Sequence, residues 1–599
     1  MMRHDTKLTT LSTGGDSCEI STARSPDNST VQVTFPASGH SHIHLAFIVA
    51  LVLAYILPSI VAFGPWKPDE PYMFGLIDSL IKTGDWVVPT LAGEPFMEKP
   101  PLFVWVAAIT SMIASPWLAI EYGSRLAIGI FILITFVGTA CAARRWWGQG
   151  YGRYAVLAML ASVGLQQHGR MMIPDLPLLA GFAVAFWGWA WIQERPLKGG
   201  ALLGTGVGMA LMAKGLLGPG VLGLTALLLP LLFRSWRTRS YAQGLMFALL
   251  TILPWLLIWP TALYVRNPQL FMDWFWVNNV GRFLGFSVQT LGAAHESGHL
   301  IETIPWFTFP VLPLTIWALW KMQLTALARP GFQVSLVVLA VLMLVLVTSA
   351  SGRVVYLLPM LIPLAVAGAP GMMLLPSRIS LFSDWTARIV FGIIAGLFWI
   401  VWFCVFVASE PLTLPILAKH LPMDLPFQLY PFGAVLAFIL MVGWLYVISQ
   451  LSLLKARAAI SWVSGIVLVW GTAFALLLPW IDAAKSYQST FAELGEALVA
   501  ENPHCLATIG LGESERAMLN YIVGLEPQRL ELNKGHDCDA LLVQGVASNT
   551  PLDMDANGWQ LRWEGARPGE RRERFWLLTR HAPLLATGTK IVSPLHGGR

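Results

Sequence analysis

From about residue 44 to Trp480, long apolar runs alternate with short polar segments. An uninterrupted apolar stretch of about twenty residues is what a helix needs to cross a hydrocarbon core. Every second polar segment is basic: RRWWGQGYGR (144–153), QERPLKGG (193–200), RSWRTRS (234–240), KMQLTALARP (321–330), SRISLFSDWTAR (377–388) and LLKARAA (453–459). Basic loops stay on the cytoplasmic side, so these segments are assigned to the inside. The segments around Asp69, 168–177, the AKGLLGP tip at Lys214, 265–303, SGRVV and EPLTLPILAKHLPMDLPF then lie outside. The pattern predicts roughly thirteen spans in an all-α polytopic membrane domain over 41–481. The run from Pro101 to Leu118 is the exception. Had it crossed, Arg144, Arg145 and Arg153 would lie outside, so it is read as an interfacial or re-entrant part of an outer loop covering 64–118.

Beyond Trp480 the periodicity changes. An amphipathic helix is expected over Tyr487 to Ala500, a strand at CLATIGL and a helix at ESERAMLNYIV. Strands are expected near RLEL, DALLVQG, WQLRWEG and RFWLLT, making 482–599 a small extracytoplasmic α/β domain. Residues 1–40, rich in Ser and Thr, read as a disordered cytoplasmic tail, with a misplaced start codon as the alternative.

Composition sharpens this. Of 599 residues 55% are hydrophobic and 12% charged, with mean hydropathy +0.61, which excludes an ordinary soluble protein. The 27 Trp suit two interfacial belts. A net charge of +5 spread over loops reports topology, and no basic stripe interleaved with aromatics points to nucleic acid. Cys141 and Cys404 fall in apolar runs and Cys18 in the tail. Cys505 and Cys538 share the C-terminal region, where a bridge is open in an oxidising compartment.

The segment 64–103, GPWKPDEPYMFGLIDSLIKTGDWVVPTLAGEPFMEKPPLF, gathers ionisable residues against an apolar boundary: Asp69, Glu70, Glu98 and Lys99. Charge held at such a boundary is costly, which makes the cluster a candidate site. A solvated loop with snorkelling side chains is the plain alternative. The pattern from Asp69 to Leu102, with GDWVVPTLxGxPFxEKPPL at its core, resembles the first outer loop of polyprenyl-phosphate-dependent GT-C glycosyltransferases. The nearest branches are the bacterial lipid A aminoarabinose transferases and the protein O-mannosyltransferases. Weaker agreement runs to about Leu358.

The resemblance implies an inverting transferase in the bacterial inner membrane. It would take a sugar from a polyprenyl (undecaprenyl) phosphate donor to lipid A or another envelope acceptor at the outer face. Protein O-glycosylation is the alternative within the class, and a flippase for a polyprenyl-linked sugar the alternative outside it. Such a transfer needs carboxylates near the sugar ring and cations near the leaving phosphate. Asp69, Glu70 and Lys99 are the expected catalytic residues, Asp69 also being a natural helix cap before Pro71. Tyr72, Glu98, Arg170, Asp175 (in RMMIPDLP), Lys214 (in AKGLLGP), Arg282 (in NNVGRFLG), Arg353 and Tyr356 (in SGRVVYLLP) are the expected donor or substrate contacts. Tyr72 stands where aminoarabinose members often carry Arg. Zinc is the one cofactor the resemblance allows, on Glu98 and His299, with His295 as a competitor.

Overall fold

The computed structural model describes residues 22–23, 32–33, 45–60, 63–288, 297–350, 352–406, 431–451, 456–546, 558–568, 570 and 572–580. The tail reading for 1–40 thus falls outside the described residues, apart from a strand pair Thr22–Ala23 and Gln32–Val33. The same holds for the outer segment 410–427.

Among the described residues eight helices are long and apolar enough to cross a membrane, or nine if the bent pair Leu300–Phe307 and Val311–Met322 is one span. Leu45–Ile56, Leu102–Ala114 and Leu217–Leu232 are apolar but shorter. The run after Pro101, expected not to cross, is a helix of only 13 residues, which rises about 20 Å against the ~30 Å of a hydrocarbon core. Ile109, Met112 and Ile113 on it, and Trp117 just beyond, are exposed, as an element resting in lipid requires.

The middle of the bundle is formed by Ile120–Trp147, Asp175–Ile192, Pro196–Lys214 and Val354–Met373. Asp175–Ile192 and Val354–Met373 are the most enclosed spans, 83% and 89% buried, while Arg239–Arg266 and Ser377–Cys404 are 17% buried and face outward. Apolarity all round a helix suits either surroundings, so which spans are central could not follow from hydropathy.

The C-terminal domain carries a five-stranded mixed sheet in the order Gln528–Arg529, Leu506–Ile509, Ala540–Val546, Glu573–Thr579, Gln560–Gly565. The first three are parallel, with helix Glu513–Val523 in the crossover, and the last two join antiparallel. Cys505 and Cys538, just ahead of the adjacent parallel strands Leu506–Ile509 and Ala540–Val546, are bridged, with Cα atoms 5.0 Å apart. The helices and strands lie where alternation and periodicity placed them. RLEL departs, because only Gln528 and Arg529 pair before a single 3₁₀ turn over Leu530–Leu532.

This domain sits on the first outer loop through a helix-on-helix contact. Helix Glu70–Thr83 presents Gly75 to Ala517, so closely that a Cβ on Gly75 would come within 2.6 Å of the Ala517 Cβ. Lys67 Nζ donates to Glu515 (2.7 Å) and Glu573 (2.5 Å), and Ser514 Oγ donates to the Pro68 carbonyl. Gly75→Leu is therefore expected to lift the domain off the loop at a cost of about 1–3 kcal/mol. Limited proteolysis should then cut near 482–488 faster than in wild type, while the membrane domain stays resistant; unchanged cleavage would refute the contact.

Candidate functional site

The sequence DEP splits two adjacent carboxylates to opposite sides of one helix start. Glu70 turns into the protein. Arg125, fully buried, donates from Nη1 to Oε1 (2.9 Å) and from Nη2 to Oε2 (2.7 Å), and the backbone N–H groups of Met172 and Trp66 add 3.0 and 2.9 Å bonds. Four donors on a side chain only 2% exposed leave no lone pair for a substrate. Glu70, expected among the catalytic residues, thus stands in the structure as an anchor. Arg125 also donates to the Gly64 carbonyl and lies 3.8 Å from the Phe63 ring centre, and Asp482 accepts from Gly64 N–H and the Trp66 indole.

Asp69 points the other way. It does not cap its helix; both its oxygens accept from Arg353 Nη2 instead, at 3.1 and 2.9 Å. The carboxylate lines a chamber of about 320 Å³ together with Tyr72, Glu98, Arg282, Arg353 and Tyr356. Glu98 Oε1 accepts from Arg282 (2.7 Å) and lies 2.7 Å from Lys99 Nζ. Burial alone would raise the Glu98 pKa, but the two cations outweigh it and hold the carboxyl well below its usual range.

Glu98, Arg282 and Tyr356 also line a second cavity of about 360 Å³ on their other side. At its polar end are Lys99 and Lys214; away from it run Leu216, Leu217, Phe283, Leu284, Val345 and Leu346. Lys214 Nζ donates to Asp175 Oδ1 at 2.5 Å and lies 3.7 Å from the Tyr356 ring centre. The turn that delivers Lys214 needs a residue at φ +63°, supplied by Gly215, and Asn279 Oδ1 accepts from the next N–H, Leu216, at 3.1 Å. Asn279 and Arg282 follow from a π-helical turn, Asp273–Gly281, a form frequent where function distorts a helix. The cavity thus pairs a cationic mouth with an apolar trough.

Most of the expected residues therefore converge: Asp69, Tyr72, Glu98, Lys99, Asp175, Lys214, Arg282, Arg353 and Tyr356. Arg170 does not. Its guanidinium stacks on Tyr55 and Trp470, 5.0 and 4.3 Å from their ring centres, and donates to Gln166, away from both cavities. Tyr72, buried against Phe96 at 5.7 Å, brings an aromatic wall where a cation was the familial pattern. For zinc, no three His, Cys, Asp or Glu side chains converge among the described residues, and Glu98 is flanked by two cations, which suit an anion and oppose a divalent metal. His295 lies outside the described residues, as does the side chain of His299, whose backbone is in helix Ser297–Phe307. The described residues do not fit a metal centre.

Sequence reasoning missed Lys67, Glu513, Ser514 and Glu515, which complete the chamber from the loop and the C-terminal domain. The only local signal was the acidic pair in ESER at a predicted helix start. Burial, then the Glu98 charge, push Glu513 up to about 7.

The fold is that of the GT-C membrane proteins. The family model described as dolichyl-phosphate-mannose-protein mannosyltransferase matches residues 98–259. An undecaprenyl phosphate-alpha-4-amino-4-deoxy-L-arabinose arabinosyl transferase from Pseudomonas fluorescens Pf0-1 is 28% identical over 53% of this chain and 56% of its own length. One from Pseudomonas aeruginosa UCBPP-PA14 is 28% identical over 53% and 57%. The matched region spans little more than half of these relatives. The crystal structure of ArnT from Cupriavidus metallidurans bound to undecaprenyl phosphate superposes with TM-score 0.63 at 18% identity, covering 89% of this chain and 97% of that one; its apo form gives 0.64. The chain shares the fold of ArnT and resembles the aminoarabinose transferases in sequence.

Two outcomes follow from the electrostatics. Glu70→Gln leaves Arg125 buried without its counter-charge and is expected to cost about 3–5 kcal/mol, read as a fall in melting temperature in detergent. A melt as stable as wild type would refute the anchoring role. Glu513 has a folded pKa above its ordinary 4.5, so the folded state binds the extra proton and this group's contribution to stability falls as pH rises from about 4.5 to 7. Glu513→Gln should therefore gain stability over wild type across that window and keep the gain above it; parallel melting curves would show otherwise.

Proposed function

We propose that this chain is an inverting glycosyltransferase of the bacterial inner membrane. It would move a sugar from an undecaprenyl-phosphate-type donor to an envelope acceptor, lipid A first among them, on the outer side. The observation that carries the reading is the shared wall of Glu98, Arg282 and Tyr356 between an amphipathic trough and the Asp69 chamber. A polyprenyl chain suits the trough, and its phosphate suits Lys99, Lys214 and Arg282 at the mouth. The sugar then lies across the wall, in the chamber beside Asp69.

In this scheme the bond from sugar C1 to the phosphate oxygen breaks and one to the acceptor oxygen forms on the opposite face of C1. Negative charge grows on the leaving phosphate, where the three cations stabilise it; Asp175 holds Lys214 in place. Positive charge grows on the ring, and Asp69, a chamber carboxylate kept in one orientation by Arg353, would offset it. A phosphate acceptor is ionised at neutral pH and asks for no base. A hydroxyl acceptor, as in protein glycosylation, would hand its proton to Asp69. No step is routed through a metal.

The test is mass spectrometry of lipid A from a host with and without the gene, alongside Asp69→Asn and Lys99→Ala. A sugar-sized mass gain that needs the gene is expected, and Lys99→Ala should lower turnover about 10²–10³-fold. Asp69→Asn should reduce a transfer to phosphate and abolish one to a hydroxyl. Unchanged lipid A with glycosylated periplasmic protein would move the acceptor to protein; no transfer to either would refute the transferase reading.

A further inference from the structure

A third cavity, of about 430 Å³, lies far from the two outer ones, at a corner of three helices: the start of Leu45–Ile56, the end of Ile120–Trp147 and the start of Tyr151–Leu160. Arg144 and Arg153 line it, together with Leu45, Cys141 and Gly150, and no Asp or Glu does so among the described residues. Arg144 stands about 28 Å from Arg125 along their shared helix, at 1.5 Å per residue. The basic turn RRWWGQGYGR places this corner on the cytoplasmic side. We propose that the cavity binds the headgroup of an anionic phospholipid of the inner leaflet, of the phosphatidylglycerol type. The site stands apart from the transfer chemistry and does not depend on it.

The two adjacent arginines of the turn have different fates. Arg145 is engaged: it donates to Glu194 and its guanidinium lies 4.4 Å from the Trp191 ring centre. Arg144 points into the cavity instead, and its guanidinium makes no hydrogen bond or ion pair among the described residues. The walls are set by close packing, because a Cβ on Gly152 would come within 2.5 Å of the Ala140 carbonyl oxygen. Arg144 and Arg153 therefore hold a fixed separation, and a phosphodiester between them gains charge-assisted hydrogen bonds from guanidinium forks. Apolar surface continues from the cavity into the bilayer. Leu45, Val49 and Leu53 are exposed at every fourth position of the first helix, and Val137, Leu133 and Ile130 at every third or fourth of the second. The two helices also meet at their far ends, where a Cβ on Gly129 would lie 3.3 Å from Ile56. A headgroup at the arginines thus has acyl chains against exposed aliphatic side chains, which a soluble phosphate could not use. A zwitterionic headgroup would bring its ammonium beside two guanidiniums, so a basic corner of this kind selects anionic lipid.

The experiment titrates the full chain in detergent micelles with dioleoyl phosphatidylglycerol or dioleoyl phosphatidylcholine and counts bound lipid by native mass spectrometry. Wild type is expected to hold phosphatidylglycerol about 10-fold more tightly than phosphatidylcholine. Arg144→Gln should weaken phosphatidylglycerol about 10-fold, as loss of one charge-assisted contact does, and Arg144→Lys should weaken it less. Arg239→Gln, which removes an exposed cation at the start of helix Arg239–Arg266, should change nothing. Excess glycerol 3-phosphate should leave the lipid in place. Displacement by glycerol 3-phosphate would make this a site for soluble anions. Equal affinity for the two lipids, or equal losses in Arg144→Gln and Arg239→Gln, would reduce it to diffuse surface charge, and retention of neither lipid would empty it; each of these overturns the inference. A wild-type melting temperature in lipid-free micelles excludes unfolding of a variant, and the comparison of the two lipids on wild type needs no variant.

Discussion

The geometry of the site depends on one buried ion pair, Arg125 with Glu70. It ties four pieces of chain that are far apart in sequence: the start of the first outer loop through Gly64 and Trp66, the span Ile120–Trp147, the second outer loop through Met172, and, by way of Asp482, the last span. An Arg with no exposed surface at a membrane boundary is tolerable only because its charge is matched bidentately and its partner's lone pairs are all used. The pair fixes where helix Glu70–Thr83 begins. Asp69, one residue earlier, therefore has its direction set by a neighbour that touches no substrate cavity.

The same economy of charge runs through the two cavities. Each carboxylate the sequence singled out has a cation within 3.1 Å, yet the cations come from elements dispersed along the chain: Arg353 after one span, Arg282 after a π-helical turn, Lys214 at a hairpin tip. Such pairs bring groups into register without cancelling their use, because under the proposed function a phosphate at Lys99, Lys214 and Arg282 would compete for the same donors. Replacement of a familial Arg by Tyr72 fits this picture. With Arg353 already on Asp69, a further cation on the helix would crowd the carboxylate, whereas an aromatic face adds a surface against which a sugar can pack.

How much of this was legible follows from the range of the interactions. Asp69, Glu98, Lys99, Asp175, Lys214, Arg282 and Arg353 were readable because each lies in a short motif of its own. The separation of Asp69 from Glu70 was not, since adjacent residues share every local cue and only the distant Arg125 distinguishes them. Arg170 misled for the same reason: proximity to Asp175 in sequence says nothing about which side of the chain a guanidinium takes, and two aromatic faces claimed it. The C-terminal domain was readable as strands and helices from period-2 and period-3.6 patterns, while its contribution to the chamber rests on tertiary docking that no local pattern carries.

The docking also bears on what the outer domain does for the membrane domain. Lys67, within the loop that bears Asp69, is bound by Glu515 and Glu573, and Glu573 is itself bound by Arg567 and Gln544. The domain therefore grips the polypeptide two residues before Asp69, on the side opposite to the Arg125 anchor. A loop held at one end only would let Asp69 move along the arc of its helix start. Held from below by the membrane domain and from above by the sheet domain, it has one position, and a fraction of an ångström in that position decides the reach of a carboxylate to a ring. Precision at the site is thus a property of the two domains together.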